Sequence, residues 1–214
     1  MLYAILSDIH GNSRALEQVL AYLAARPIDA FLHLGDVGPE PLFLFDPLPV
    51  QHIFGNWEVT MLDDFPAARR EEVGAWPGRR RGPGWVAAHA TPLLPEPCQT
   101  TLATRNYMRS HAPRWTQIFP SLLHDEAAIW AALAELALHD QRVAFYGHTH
   151  VQAAQQLGAD NRLRRLSGPL IDLPPDARTL IGVGSVGAPA DGNAPRFALF
   201  DSERMQVTLI ALPR

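Results

Sequence analysis

A chain of 214 residues, 47% of them apolar, is long enough to bury one sizeable core, and a single domain over 1–214 is expected. Its formal charge of -4 and pI near 6.1 provide no general positive field, which argues against nucleic acid and acidic lipid as partners. Cys98 is the only cysteine, so an intrachain disulfide is excluded and a reducing, cytoplasmic setting is expected. The apolar start, 1–6, has no basic leader and meets Asp8 at once, and no run approaches the roughly 18 apolar residues of a membrane helix.

The first apolar run, 2–6, has the length of a buried strand. Asn12 or Ser13 then caps a helix whose Ala15, Leu16, Val19, Leu20 and Leu23 share one face, and Arg26-Pro27 ends it. With the run 30–34 this makes a strand–helix–strand unit, the building block of a parallel sheet. Runs 50–54, 85–88 and 143–146 predict three more strands. The last of these follows a helix predicted over about 125–138, with Asp125 and Glu126 in its first turn and Ile129, Leu133 and Leu136 on its buried stripe. Two irregular stretches, 59–84 and 91–124, are rich in Pro and Arg with patches of helical pattern, and are expected to act as caps or lids. Within the first, Arg79-Arg80-Arg81 is expected in a Gly/Pro loop at the solvated surface. The tail predicts an antiparallel sheet from segments 151–157, 162–167, 178–183, 196–201 and 204–212, separated by turn-forming clusters such as Asp191-Gly192-Asn193. The expected class is layered α/β, parallel in its first half and antiparallel in its second.

Chemistry gathers where the five runs end. They are followed by Asp8-Ile9-His10-Gly11-Asn12, Gly35-Asp36, Gly55-Asn56-Trp57-Glu58, His89 and Gly147-His148-Thr149-His150. In an open α/β sheet the ligand site lies beyond the carboxyl ends of the strands. Four of the nine histidines occupy these positions. Acids and imidazoles buried together need a compensating positive charge, which metal cations supply. A mixed N and O donor set suits Mn, Fe, Zn or Co better than calcium, and the absence of thiolates excludes a closed structural zinc site.

Spaced as D-x-H, G-D, G-N-x-E, H and G-H-x-H, these motifs resemble the calcineurin-like metallophosphoesterases over most of the chain, and the LSDIHGN opening with the GSVG…P…DG…RFALFD tail resembles their bacterial phosphodiesterase-like branch. The resemblance implies an α-β-β-α sandwich with mixed parallel and antiparallel sheets. It also implies a dinuclear centre: Asp8, His10 and His150 on one divalent ion, Asn56, His89 and His148 on the other, and Asp36 bridging. Manganese is the first choice, with Fe, Zn, Co or Ni as alternatives. A bridging hydroxide attacking phosphorus in line is the implied mechanism. Asn12 is implied to orient phosphate or support the ligands.

The chain departs from the family at Trp57, where many members place a histidine that protonates the leaving group. Indole has one N–H donor and no useful acid–base pKa, so the proton donor is unassigned. His111, in the expected cap, is a weak candidate, and Trp57 is a candidate for stacking on an aromatic leaving group. Good leaving groups are favoured. The expected function is a phosphodiesterase acting on a small phosphate compound. The alternatives are a diadenosine-tetraphosphate-type hydrolase of a nucleotide substrate and, behind it, an interaction scaffold with weak catalysis. The oligomeric state is not legible from the residues.

Overall fold

The computed structural model describes residues 1–213. The first unit forms as the pattern predicts: β1 (Leu2–Leu6), α1 (Ser13–Ala24), β2 (Ala30–His33), then β3 (Val50–His52), with the three strands parallel. Asn12 is the N-cap of α1, its Oδ1 accepting the Ala15 N–H at 3.1 Å, which satisfies a donor the helix itself cannot. The chain continues through α2 (Asn56–Thr60), α3 (Ala67–Gly74), β4 (Arg79–Gly82) and β5 (Trp85–Ala88). It then forms α4 (Thr101–His111), α5 (Trp115–Ile118), α6 (Glu126–Leu138) and β6 (Val143–Tyr146). The tail adds β7 (Gln152–Leu157), β8 (Leu163–Leu166), β9 (Leu170–Asp172), β10 (Arg178–Val183), β11 (Arg196–Asp201) and β12 (Gln206–Ala211).

Two six-stranded mixed sheets result, in the orders β3-β2-β1-β11-β12-β9 and β4-β5-β6-β10-β7-β8. Ile5, Leu32, Phe145, Ile181 and Phe200 are buried between them. On one outer face Leu16, Val19 and Leu23 of α1 join a second cluster, and on the other Ile129, Leu133 and Leu136 of α6 pack on Ala144 and Leu180. The layering is the α-β-β-α sandwich that the resemblance implies. Among the described residues no helix is long and apolar enough to cross a membrane.

Three expectations are corrected. The tail is not one antiparallel sheet: β11 and β12 complete the first sheet, while β10 enters the second parallel to β6 and antiparallel to β7. β9, which pairs with β12, is absent from the sequence expectation because three residues carry too little pattern. Arg79-Arg80-Arg81 is not a loop but an edge strand turned back on β5 through Pro83-Gly84, with Arg81 donating to Glu135 of α6 at 2.6 Å. Charged edges of this kind discourage pairing with another chain. Stretches 59–84 and 91–124 hold helices of their own, and Val59, Leu62, Phe65, Val73, Ile118 and Phe119 are buried in the cluster outside the first sheet.

Candidate metal centre

The segments that follow β1, β2 and β3 of the first sheet and β5 and β6 of the second converge and bring all seven predicted ligands together. Asp8 Oδ1 stands 3.2 Å from His150 Nε2 and 3.6 Å from His10 Nε2, and the two imidazole nitrogens are 2.9 Å apart. Asn56 Oδ1 is 2.9 Å from both His89 Nε2 and His148 Nδ1. Asp36 Oδ2 lies 3.6 Å from His10 Nε2 and 3.6 Å from His89 Nε2, so one oxygen stands between the two groups. Asp8 also belongs to both clusters, since its carboxylate closes a ligand set with His10 and His150 and another with Asp36 and His89.

The local backbone is unusual. Asp8, His10, Asp36, His148 and His150 all have positive φ, between 50° and 60°. L-residues adopt this region rarely, at a cost of about 1–3 kcal/mol each, and such outliers concentrate at functional sites. Glycines let the strand ends approach: a Cβ on Gly147 would stand 1.9 Å from Ser7 Oγ, and one on Gly55 would stand 2.2 Å from Asp36 Oδ1.

Hydrogen bonds fix which nitrogens keep a lone pair. His89 Nδ1–H donates to the Leu34 carbonyl at 2.8 Å, and His150 Nδ1–H donates to the Ala188 carbonyl at 2.8 Å. In the neutral rings Nε2 of each is therefore bare and aimed inward. Burial pushes His89 down to about 3 and lowers His148 as well, so both stay neutral at ordinary pH. Burial opposes ionisation of Asp8, but His10 and His150 outweigh it and hold its carboxyl well below the usual range. Asp36 is driven the other way, well above its ordinary value, by burial and by the Glu58 and Asp8 carboxylates.

The arrangement fits cations. Asp8 Oδ1 is fully buried without an aligned hydrogen-bond donor, and the Nε2 atoms of His10 and His150 face it. Something positive must lie among these electron pairs: a proton serves in the metal-free protein, and a divalent ion of nitrogen and oxygen preference suits the same donors.

Glu58 is the residue that motif reading left without a role. It is fully buried, and its carboxylate accepts three backbone N–H bonds, from Asp36 at 2.8 Å, Val37 at 2.8 Å and Gly55 at 2.6 Å. It thus staples the loop of Asp36 to the turn that presents Asn56. Ser185 was also missed. Its Oγ donates to the Asp8 carbonyl at 2.6 Å and accepts the Ala188 N–H at 2.7 Å.

Trp57 gives its backbone N–H to Asp36 Oδ1 at 2.7 Å, and its half-buried indole meets the His10 ring edge-on, centroids 4.3 Å apart. Asn12 has its Oδ1 committed to the helix cap and one amide hydrogen given to the Gly187 carbonyl at 3.0 Å, which leaves a second amide hydrogen. His111 is exposed at the end of α4, with its ring stacked on Tyr107 and its Nδ1 2.8 Å from Ser110 Oγ, so its hydrogen bonds and stacking stay within its own helix. Phe119, just after α5, is the aromatic that reaches the far side, 6.0 Å from the His89 ring and 6.1 Å from that of His148.

Residues 1–205 match the calcineurin-like phosphoesterase superfamily domain. The chain belongs to that family. A metallophosphoesterase from Sphaerobacter thermophilus has a similar structure, with a TM-score of 0.75 and 23% identity over 100% of this chain and 89% of that one. A structure described as a novel archaeal phosphodiesterase matches with a TM-score of 0.52 and 13% identity over 99% and 100% of the two chains. A protein of Methanocaldococcus jannaschii, itself uncharacterised, is 25% identical over 98% of this chain and 86% of its own length. Membership makes this a metallophosphoesterase-family domain with candidate metal ligands.

Proposed function

We propose that the chain is a metal-dependent phosphodiesterase whose centre holds two divalent cations, manganese foremost, with iron, zinc, cobalt or nickel as alternatives. Asp8, His10 and His150 hold one, Asn56, His89 and His148 the other, and Asp36 stands between. The observation that carries the reading is the crowd of electron-pair donors around Asp8 and Asp36, oriented by carbonyls that leave the inner nitrogens bare. Cations there would supply Lewis-acid stabilisation of phosphoryl oxygens and would acidify water.

The chain's own residues do the remaining work. The Trp57 N–H and Glu58 place Asp36, and the Leu34 and Ala188 carbonyls orient His89 and His150. Trp57 cannot lend a proton, so the leaving group has to depart with its own charge, which favours an aryl oxide or a nucleotide phosphate over a simple alkoxide. Asn12 and Trp57, beside the centre, are the residues to face the substrate. A second reading, hydrolysis of a dinucleoside polyphosphate, is favoured by the half-buried indole against His10, an aromatic face within reach of a base. A catalytically weak scaffold is disfavoured because it has no need of seven convergent ligands.

The test is turnover of an aryl phosphodiester, an aryl monoester and a dinucleoside polyphosphate with added manganese. Diester cleavage well above monoester cleavage is expected. Strong monoesterase activity without either of the others would overturn the assignment.

A further inference from the structure

Resting on the two-cation reading above, we propose that Asp191 and Arg196 form a clasp that positions His150 and sets the cation affinity of its half of the centre alone. His150 sits in the left-handed region at φ 59° and is gripped by one loop at two points. Its Nδ1–H donates to the Ala188 carbonyl at 2.8 Å, and its own carbonyl accepts the Ala190 N–H at 3.0 Å. That loop has no regular structure, so the aim of the imidazole depends on what holds the loop.

One end is held by Ser185, which accepts the Ala188 N–H. The other end is held by Asp191. One of its carboxylate oxygens lies 2.6 Å from Arg196 Nε, and the other accepts the N–H of Gln152, two residues beyond His150, at 3.0 Å. Arg196 Nη2 donates to the Asp191 carbonyl at 2.7 Å, and Nη1 donates to Gln152 Oε1 at 3.2 Å. Gln152 Nε2 in turn donates to the carbonyls of Phe197 and Ile210, both at 2.9 Å, so the clasp is anchored in the first sheet. The Asp191 and Arg196 side chains are 24% and 19% exposed; their Oδ1–Nε contact is close but not aligned as a hydrogen bond, so the charge-assisted bonds through Gln152 and the Asp191 carbonyl hold the geometry.

The other half is supported from elsewhere. His89 is oriented by Leu34 of the β2 end, and Asn56 and His148 stand against each other. Asp191 and Arg196 touch no ligand atom themselves and act through the Ala188 carbonyl. Loosening the clasp therefore frees His150 and leaves the second set in place.

The test is calorimetric titration of the metal-free protein with manganese, read beside its melting temperature. His150→Ala identifies the binding step that belongs to its half. Asp191→Asn is expected to weaken that step about 10–100-fold and to leave the other within about twofold, as removal of an outer partner of a metal ligand does elsewhere. Arg196→Gln breaks the clasp from the other side and is expected to reproduce the one-step effect, with Arg196→Lys retaining more affinity than Gln. Both steps unchanged, both weakened equally, or neither variant folding would overturn the clasp; if one variant fails to fold, the other decides. Wild-type protein binding no cations would instead refute the underlying metal reading, which the wild-type titration reads separately.

Discussion

Replacing Glu58 by glutamine keeps its size and removes one acceptor. The present carboxylate takes the Val37 N–H on Oε1 and the Asp36 and Gly55 N–H groups on Oε2, all without exposure to water. A glutamine that turns its oxygen to Asp36 and Gly55 sets its NH2 against the Val37 donor, so at least one charge-assisted bond is lost, at about 1.5–3 kcal/mol. The loss is partly offset, because the Glu58 carboxylate contributes to the raised pKa of Asp36 and the variant relieves that repulsion. A net loss of about 2 kcal/mol is expected, which for a chain of this size lowers the melting temperature by about 4–8 °C. Glu58→Ala leaves three buried N–H groups unpaired, at about 1–3 kcal/mol each, and is expected to yield little folded protein. Turnover of Glu58→Gln should fall along with stability, since the same bonds place Asp36. Thermal unfolding of the metal-free protein and diester hydrolysis measure the two effects. A variant melting within about 1 °C of wild type with full turnover would refute the staple.

Asp36→Asn is expected to abolish turnover and weaken metal retention while the fold survives; near-normal hydrolysis, read by a diester assay with metal analysis of the purified protein, would contradict its place between the two ligand sets. Trp57→His restores a proton donor and should raise turnover of an alkyl diester more than of an aryl diester, whereas equal effects on both would show that leaving-group protonation is not what Trp57 limits. Metal uptake should release protons, since burial and the Glu58 and Asp8 carboxylates favour the protonated form of Asp36 whereas a cation requires the ionised one, and calorimetry in buffers of different ionisation enthalpy reads that release. Away from the centre, burial and the Arg69 and Arg80 charges hold His52 down to about 4, and burial with the neighbouring His52 charge pushes His33 well below its usual value. The unfolded chain protonates both near pH 6.5, so the stability present above that pH is lost as pH falls towards 4. The His52 shift contributes about 2–3 kcal/mol of that loss. Urea unfolding at pH 7 and at pH 4.5 should show a smaller drop for His52→Phe than for wild type; parallel drops would contradict the account.

The ligands were legible because each follows a strand-like run, and the ends of β1, β2 and β3 in one sheet and of β5 and β6 in the other converge. Asp8 with His10, and His148 with His150, were legible as pairs at two-residue spacing, although all four lie past their strands with positive φ and not on one face of an extended segment as that spacing suggests. Asn12 was legible as a cap for the same local reason. Glu58 was not, because two of its three partners are backbone amides 21 and 22 residues away, and no side-chain motif marks a distant backbone donor. The clasp was hidden likewise: Asp191 looked like a turn residue, and its link to Gln152 spans 39 residues. Strand assignment failed where pairing is non-local. Nothing within Arg178–Val183 distinguishes a strand parallel to β6 from another hairpin partner of β7. Arg79–Gly82 reads as loop because its charge, not its apolar pattern, suits a sheet edge.

The most direct test of the dinuclear centre is diffraction from manganese-soaked crystals with anomalous difference maps. Two peaks are predicted, one flanked by Asp8, His10 and His150, the other by Asn56, His89 and His148, with Asp36 reaching both. One peak alone, or peaks held by other side chains, would contradict the account.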